Sequence, residues 1–137
     1  MTISPPPPSP SDLMLDTDVL IDLTNRHPLA ISWFATLTGT PHVAGFAAME
    51  VISGSNSLQE LRTLQKGLSL FPLRWPTEED LKRALTIYLP LRLAHGIGLF
   101  DTVIAATATG AGLTLVTLNV RHFRHVPGLT ILRPYMK

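Results

Sequence analysis

The amino-acid sequence predicts an α/β fold, a mostly parallel central sheet flanked by helices on both faces. Short apolar runs alternate along the chain with segments whose apolar residues recur at helical spacing. This alternation is typical of strands joined by crossover helices. The chain has 137 residues, the length of a single domain. It contains no cysteine, so disulfides, thiolate metal sites and cysteine nucleophiles are excluded.

The first half of the chain begins with the clearest strand. Leu13, Met14 and Leu15 form an apolar run that ends at Asp16, the pattern of a buried strand turning into a helix. The next segments are predicted as a short helix over 28–37 and a brief strand over 41–43. A helix over 46–53 that ends at Gly54 and a leucine-striped helix over 58–70 follow.

The second half continues the alternation. After a strand near 71–74, Thr77 and Asp80 resemble a capping box. We expect a helix from Thr77 toward residue 94, bent by Pro90, because proline cannot donate the helical hydrogen bond. An alanine-rich helix is predicted over 100–108, stopped by Gly110 and Gly112. A strand over 113–117, a turn or short helix over 119–123 and a last strand over 129–132 complete the chain.

The N-terminal segment differs in composition from the rest. Five of the twelve prolines lie among the first ten residues, and no charged residue precedes Asp12. We therefore expect residues 1–11 to form a disordered proline-rich tail and residues 12–137 to form the folded domain. The sequence has neither a signal-peptide pattern nor an apolar run long enough to span a bilayer. We expect a soluble, cytoplasmic protein.

Six of the ten acidic residues have an ordinary structural explanation. Asp12 borders the tail, Asp22 can pair with Arg26 on a helix surface, and Glu60 lies on the polar side of the leucine stripe. The other three, Glu78, Glu79 and Asp80, lie at a helix N-terminus. Sequence neighbours and helix dipoles are enough to account for them, and they need no function.

The other four acids, Asp16, Asp18, Glu50 and Asp101, have no Lys or Arg within seven positions. Burying unpaired carboxylates costs several kcal/mol unless a cation compensates. Grouped carboxylates select a hard divalent ion such as Mg²⁺ or Mn²⁺. Each acid alone has a simpler explanation, as a helix cap or a solvent-facing residue. Their joint position at strand ends and helix starts favours a metal site, because parallel sheets place their ligand crevice there.

The last part of the chain is basic. No acid follows Asp101, whereas four of the eleven basic residues do. His122 and His125 have the spacing of a transition-metal pair, but Arg121 and Arg124 beside them favour a solvent-facing basic strip. A positive flank beside an acidic metal cluster suits a polyanion that is held for hydrolysis.

At these residues the sequence resembles the PIN-domain ribonucleases, and among them the VapC-like toxins of bacterial toxin–antitoxin pairs. The resemblance covers about residues 13–134 and rests on four motifs in order: Leu15-Asp16-Thr17-Asp18-Val19-Leu20, Met49-Glu50-Val51 followed by Gly54, Phe100-Asp101 through Ala108, and Thr117-Leu118-Asn119-Val120-Arg121-His122-Phe123. The chain departs from the family pattern at two positions. Asp18 stands where members often carry Asn, and Asn119 stands where they often carry an acid.

The resemblance implies a ribonuclease that hydrolyses RNA phosphodiester bonds with one or two Mg²⁺ or Mn²⁺ ions. It implies that Asp16, Glu50 and Asp101 hold the metal and that Asn119 assists directly or through water. Thr117 is either a hydrogen-bond donor to a carboxylate or metal-bound water, or an ordinary strand threonine. Arg121 is the candidate contact for substrate phosphate.

The resemblance also implies two protein partners. A VapC-like protein is expected to form a homodimer and to be silenced by a small antitoxin whose tail covers the groove. The apolar segments 31–37 and 58–70 are candidate docking surfaces, although both also fit a place in the core.

Two alternatives remain open. Asn119 is compatible with a PIN-like module that binds RNA or a partner protein without cutting. The segment that ends at Asp18 also resembles the opening motif of haloacid-dehalogenase-type phosphatases, with Asp16 as the nucleophile. That fold expects a downstream acidic pair, and no acid follows Asp101.

Overall fold

The computed structural model describes residues 9–137. It confirms the predicted parallel α/β fold. Five strands form one sheet: β1 (Leu13–Leu15), β2 (His42–Ala44), β3 (Leu73–Arg74), β4 (Thr114–Val116) and β5 (Ile131–Leu132). The strand order is β3-β2-β1-β4-β5 and every neighbouring pair is parallel. Residues 1–8 of the expected tail lie outside the described residues, and Pro10–Asp12 form a 3₁₀ turn ahead of β1.

Eight α-helices connect the strands within the described residues: α1 (Thr17–Thr24), α2 (Pro28–Ala35), α3 (Gly45–Ser53), α4 (Leu58–Leu68), α5 (Glu78–Arg83), α6 (Leu91–His95), α7 (Leu99–Ala111) and α8 (Val120–Phe123). A π-helical segment, Ala84–Tyr88, lies between α5 and α6. No helix in residues 9–137 has both the length and the apolar character needed to cross a lipid bilayer.

The hydrophobic core has two parts because side chains alternate along β1. Met14 points to one face of the sheet, where it packs with Ile104, Leu115 and Phe123. Its neighbour Leu15 packs on the other face with residues that include Leu20 and Val116. Helices therefore cover both faces, as the apolar runs predict.

The sheet order brings the carboxyl ends of β1 and β4 side by side. Leu15 is paired with Val43 on one side and with Val116 on the other. The chain adds β2 and β3 on one side of β1, and then β4 and β5 on the other side. Open parallel sheets place their ligand crevice at such a reversal, next to the strands' carboxyl ends.

The helix predicted from Thr77 toward residue 94 is present but irregular: α5, the π-helical segment and α6 follow one another, and Leu89 and Pro90 between them keep right-handed helical dihedrals. Thr77 and Asp80 form the predicted capping box at its start. The N–H of Leu89 bonds to the carbonyl of Ala84 at 2.8 Å, five residues back, which widens the turn before Pro90. Proline has no N–H and its ring clashes with the preceding turn, so the α-helical hydrogen bonds are interrupted before α6.

Two sequence predictions are wrong in detail. Gly110 does not stop α7, which continues to Ala111 and ends at Gly112 with a φ of 67°. A Cβ at Gly110 would collide with the Asp80 carboxylate, so close packing explains this glycine. Asp22 is not paired with Arg26. Its carboxylate instead accepts hydrogen bonds from Tyr135 Oη at 2.8 Å and Lys137 Nζ at 3.1 Å.

Candidate active site

Asp16 occupies the junction between β1 and α1. Its backbone N–H bonds to the carbonyl of Val116, which completes the sheet edge, and Asp16 is the N-cap of α1. Oδ1 accepts from the N–H of Thr17 at 2.7 Å, and Oδ2 accepts from Thr117 Oγ1 at 2.8 Å. The residue is only 4% exposed. Asp16 is therefore both a helix cap and a buried carboxylate at the crevice.

Thr117 joins the carboxylates of Asp16 and Asp18. It follows β4 and is fully buried, and its Oγ1 lies 2.8 Å from Asp16 Oδ2 and 3.3 Å from Asp18 Oδ2. The same Oγ1 accepts from the N–H of Asn119 at 3.0 Å. Asp18 is held further by the N–H groups of Val19 and Leu118, at 2.7 and 3.0 Å. One hydroxyl thus orients two carboxylates across the strand junction.

Glu50 reaches the same region from α3. Its Oε1 accepts from Thr17 Oγ1 at 2.8 Å, and Thr17 directly follows Asp16. Glu50 is partly exposed, on the second turn of a helix that begins where β2 ends. This hydrogen bond therefore ties Glu50 to the residue that follows Asp16, although 33 residues separate the two bonded side chains.

Asp101 lies in the first turn of α7. The carboxylate is partly buried, and burial raises its pKa, against the lowering effects of a hydrogen bond from the N–H of Gly98 and of His122. The charge of Asp101 in turn raises the pKa of Asp16.

The charges at this site are not compensated. The pKa of Asp16 is raised to about 7, chiefly by burial and then by the charges of Asp18 and Asp101, against the lowering effect of hydrogen bonds from Thr117 and Thr17. Burial likewise raises the pKa of Asp18. Within residues 9–137, the acids that form salt bridges are Glu78, Glu79, Asp80 and Asp22, none of which belongs to this site.

The remaining predicted site residues stand at the rim. The Asn119 amide nitrogen lies 3.0 Å from His122 Nδ1, and Arg121 is exposed on α8. His122 and His125 do not form a pair, because the His125 ring stacks on His95 with centroids 3.5 Å apart. In the part of the chain that the structure describes, no three His, Asp or Glu side chains converge as a ready metal cage.

Three residues contribute more than the sequence indicated: Thr17, Asp18 and His122. Thr17 holds Glu50, Asp18 shares Thr117 with Asp16, and His122 faces both Asn119 and Asp101. The signal for Asp18 was its lack of a nearby cation in the sequence. No sequence signal connects Thr17 to Glu50 or His122 to Asp101, since those contacts depend on the fold.

The donor set fits a hard divalent cation. Its side chains offer only oxygen atoms: the carboxylates of Asp16, Asp18, Glu50 and Asp101. Mg²⁺ and Mn²⁺ prefer such ligands. Burial raises the pKa of Asp16, and no salt bridge within the described residues involves its carboxylate.

The chain matches a known family. A sequence model of the PIN domain matches residues 13–129, and the chain therefore belongs to the PIN-domain family. Ribonuclease VapC10 of Mycobacterium tuberculosis is 34% identical over 114 residues, which are 81% of this chain and 85% of that protein. The predicted family resemblance is confirmed, and the phosphatase alternative is wrong.

Two solved structures are similar to the chain along most of its length. One is a toxin–antitoxin complex from Klebsiella pneumoniae, with 26% identity and a TM-score of 0.72. The other is DNA-bound VapBC from Salmonella typhimurium, with 25% identity and a TM-score of 0.76. Each comparison covers 90% of this chain and 98% of the other.

Proposed function

We propose that this protein is a metal-dependent endoribonuclease and the toxin of a toxin–antitoxin pair. One observation carries the proposal: at the reversal point of a parallel sheet, buried Asp16 meets Asp18 and lies in the field of Asp101, with no cation bonded to any of them in the described chain. The similarity to Ribonuclease VapC10 supports RNA as the substrate.

In this proposal Asp16, Glu50 and Asp101 hold Mg²⁺ or Mn²⁺. A bound divalent ion supplies Lewis-acid activation of water and neutralises charge that develops on the phosphate. The chain's own part is positioning. Thr117 and Thr17 aim the carboxylates of Asp16 and Glu50 by hydrogen bonds of 2.8 Å each.

Residues at the rim of the site bind and orient the substrate. Asn119 assists at the site from the turn after β4, with its amide aligned by His122. Arg121, exposed on α8, contacts a substrate phosphate. Because Asn119 is neutral, we expect weaker metal binding than an acid at this position would give.

The antitoxin partner is proposed to lie in a groove between α1 and α4. A cavity of about 280 Å³ is lined there mainly by apolar side chains, among them Leu20, Leu23, Leu64, Leu68 and Phe71. This surface includes part of the predicted segment 58–70. An amphipathic segment of a partner fits such a groove. Because its proposed partners are RNA and an antitoxin, the proposed location of the protein is the cytoplasm.

We also propose a homodimer, formed at a surface that we call the aromatic patch: Phe46, Trp75 and Phe100. The ring of Phe46 contacts those of Trp75 and Phe100, with centroids 6.2 and 6.1 Å apart. Trp75 and Phe100 are 52% and 49% exposed. Exposed aromatic side chains that touch one another are enriched at protein interfaces.

Cleavage of a structured RNA in Mn²⁺ tests the proposed activity. Wild type is expected to cut the RNA, whereas Asp16→Asn reduces the rate by more than about 100-fold, because a ligand should matter more than the groups around it. Asp12→Asn is the matched control, since Asp12 is exposed outside the site and its loss leaves the rate unchanged.

The same experiment decides against the proposal if wild type and Asp16→Asn cut equally, since that reports a contaminant or a different site. The non-cutting module is the second candidate, favoured by the neutral Asn119 and its contact with His122. It predicts RNA binding that does not require Mn²⁺ and no cleavage by wild type.

A further inference from the structure

A second cavity opens next to Glu50. It has a volume of about 600 Å³ and lies where the ends of α1 and α3 meet the start of α4. This size is typical of small-molecule sites. Glu50 is shared with the candidate active site, since its Oε1 is bonded to Thr17 beside Asp16. Any group that fills the cavity therefore lies next to Glu50, one of the proposed metal ligands.

The lining itself offers no positive charge to a phosphate. The cavity is lined by no Lys or Arg of the described chain, and two of its lining residues are the acids Glu50 and Glu60. A phosphate group there would meet the charge of Glu60, which forms no salt bridge within the described residues. The next nucleotide of a bound RNA must therefore present its neutral base to this surface, with its backbone turned away.

The polar groups of the lining match the edge of a nucleobase. The amides of Asn25 and Gln59 line the cavity, and neither side chain hydrogen-bonds to another residue within the described part of the chain. An amide offers a donor and an acceptor side by side, which allows paired hydrogen bonds to a base edge. Ile21, Val51 and Leu64 supply apolar wall for the base face.

We propose that this cavity binds an unpaired base next to the scissile phosphate and sets the sequence preference of cleavage. This inference rests on the proposed ribonuclease function. The lining favours adenine, cytosine or guanine over uracil. Carboxylates only accept hydrogen bonds, and these three bases donate from an exocyclic amino group, whereas the single N3–H of uracil lies between two carbonyl oxygens that a carboxylate repels. Unpaired bases are what proteins read in RNA.

The test compares Gln59→Ala with Gln65→Ala on RNAs that differ only at the bases flanking the cleaved bond. Both glutamines are exposed on α4, but only Gln59 lines the cavity. Wild type is expected to prefer an amino-bearing base at one flanking position. Gln59→Ala lowers kcat/KM for that RNA about 10-fold, the usual value of one paired base contact, and leaves the uracil RNA unchanged. Gln65→Ala behaves as wild type.

Two outcomes overturn the inference. One is an equal loss on every RNA in Gln59→Ala, which means that the side chain does not read a base. The other is unchanged cleavage together with weaker binding of an antitoxin peptide, which assigns the cavity to the protein partner. Binding of the same RNAs in the Asp16→Asn background, measured by fluorescence anisotropy, separates this inference from the proposed activity. Base-dependent affinity that Gln59→Ala removes would support the cavity even without cleavage.

Discussion

Single residues decide how the acids of this protein are satisfied. Asp16 and Asp18 share one hydroxyl, that of Thr117, and have no bonded cation in the described chain. Asp22, one turn further along α1, has a cation and a phenol. The sequence separated these two kinds of acid correctly, but it named the wrong partner for Asp22. Lys137 lies 115 residues away from it, and sequence distance carries no information about such a contact.

The Asp22 contact predicts a pH-dependent stability. Burial raises the pKa of Asp22, but hydrogen bonds from Tyr135 and Lys137 outweigh that effect, so the pKa is lowered below 3.8 in the folded state. The stabilisation is therefore present above pH 3.8 and lost as the pH falls through the lowered value. Tyr135→Phe should cost about 1 kcal/mol at pH 7, and the cost should shrink in strong acid.

Urea unfolding of wild type and Tyr135→Phe at pH 7 and pH 2 measures this dependence. The Asp22→Asn background is the control, because without the carboxylate the tyrosine change should cost less at pH 7 and show little change with pH. An effect of Tyr135→Phe that is equal at both pH values in wild type would contradict the assignment to Asp22.

For helices and strands, local sequence signals predicted where helices start more accurately than where they end. The capping box at Thr77 and the apolar run of β1 were predicted from neighbouring residues alone. Gly110 was misread because glycine ends helices and also permits close packing. Only the approach of α5 to α7 shows which applies. Arg83 on α5 bonds to Asp80 at 2.9 Å and to the Ala106 carbonyl at 2.8 Å, which locks the two helices together.

Gly110→Ala should therefore destabilise the protein although alanine is the better helix former. A Cβ there meets the carboxylate of Asp80, which is 5% exposed and paired with Arg83, so the ion pair must shift. We expect a loss of about 1–3 kcal/mol in the free energy of unfolding, the range for overpacked sites.

Gly67→Ala is the matched control. Gly67 is also helical, and nothing lies within 4 Å of a Cβ built on it. Alanine should stabilise there by up to about 1 kcal/mol. Urea denaturation of both variants compares them directly, and a gain in stability for Gly110→Ala would show that Asp80 moves freely.

For the whole molecule, topology creates the site and leaves the aromatic patch exposed. If two copies meet there, as proposed, Phe100→Lys places like charges at the shared surface and should convert a dimer to a monomer. Light scattering coupled to size-exclusion chromatography measures the mass.

Leu70→Lys is the control for that change, because Leu70 is 78% exposed and lies outside the aromatic patch. Circular dichroism checks that both variants fold. A wild type that is monomeric at high concentration, or a Phe100→Lys variant that stays dimeric, would remove the aromatic patch as the interface.

The sequence by itself determined the elements, the parallel sheet and the unusual acids. Those features follow from local patterning: apolar runs, caps and the spacing of charges along the chain. The tertiary structure decided which side chains meet. It bonded Thr17 to Glu50 across 33 residues and Thr117 to Asp16 across 101. The reason is geometric, since strand order and register place distant residues at one sheet edge, and a linear pattern does not encode that order.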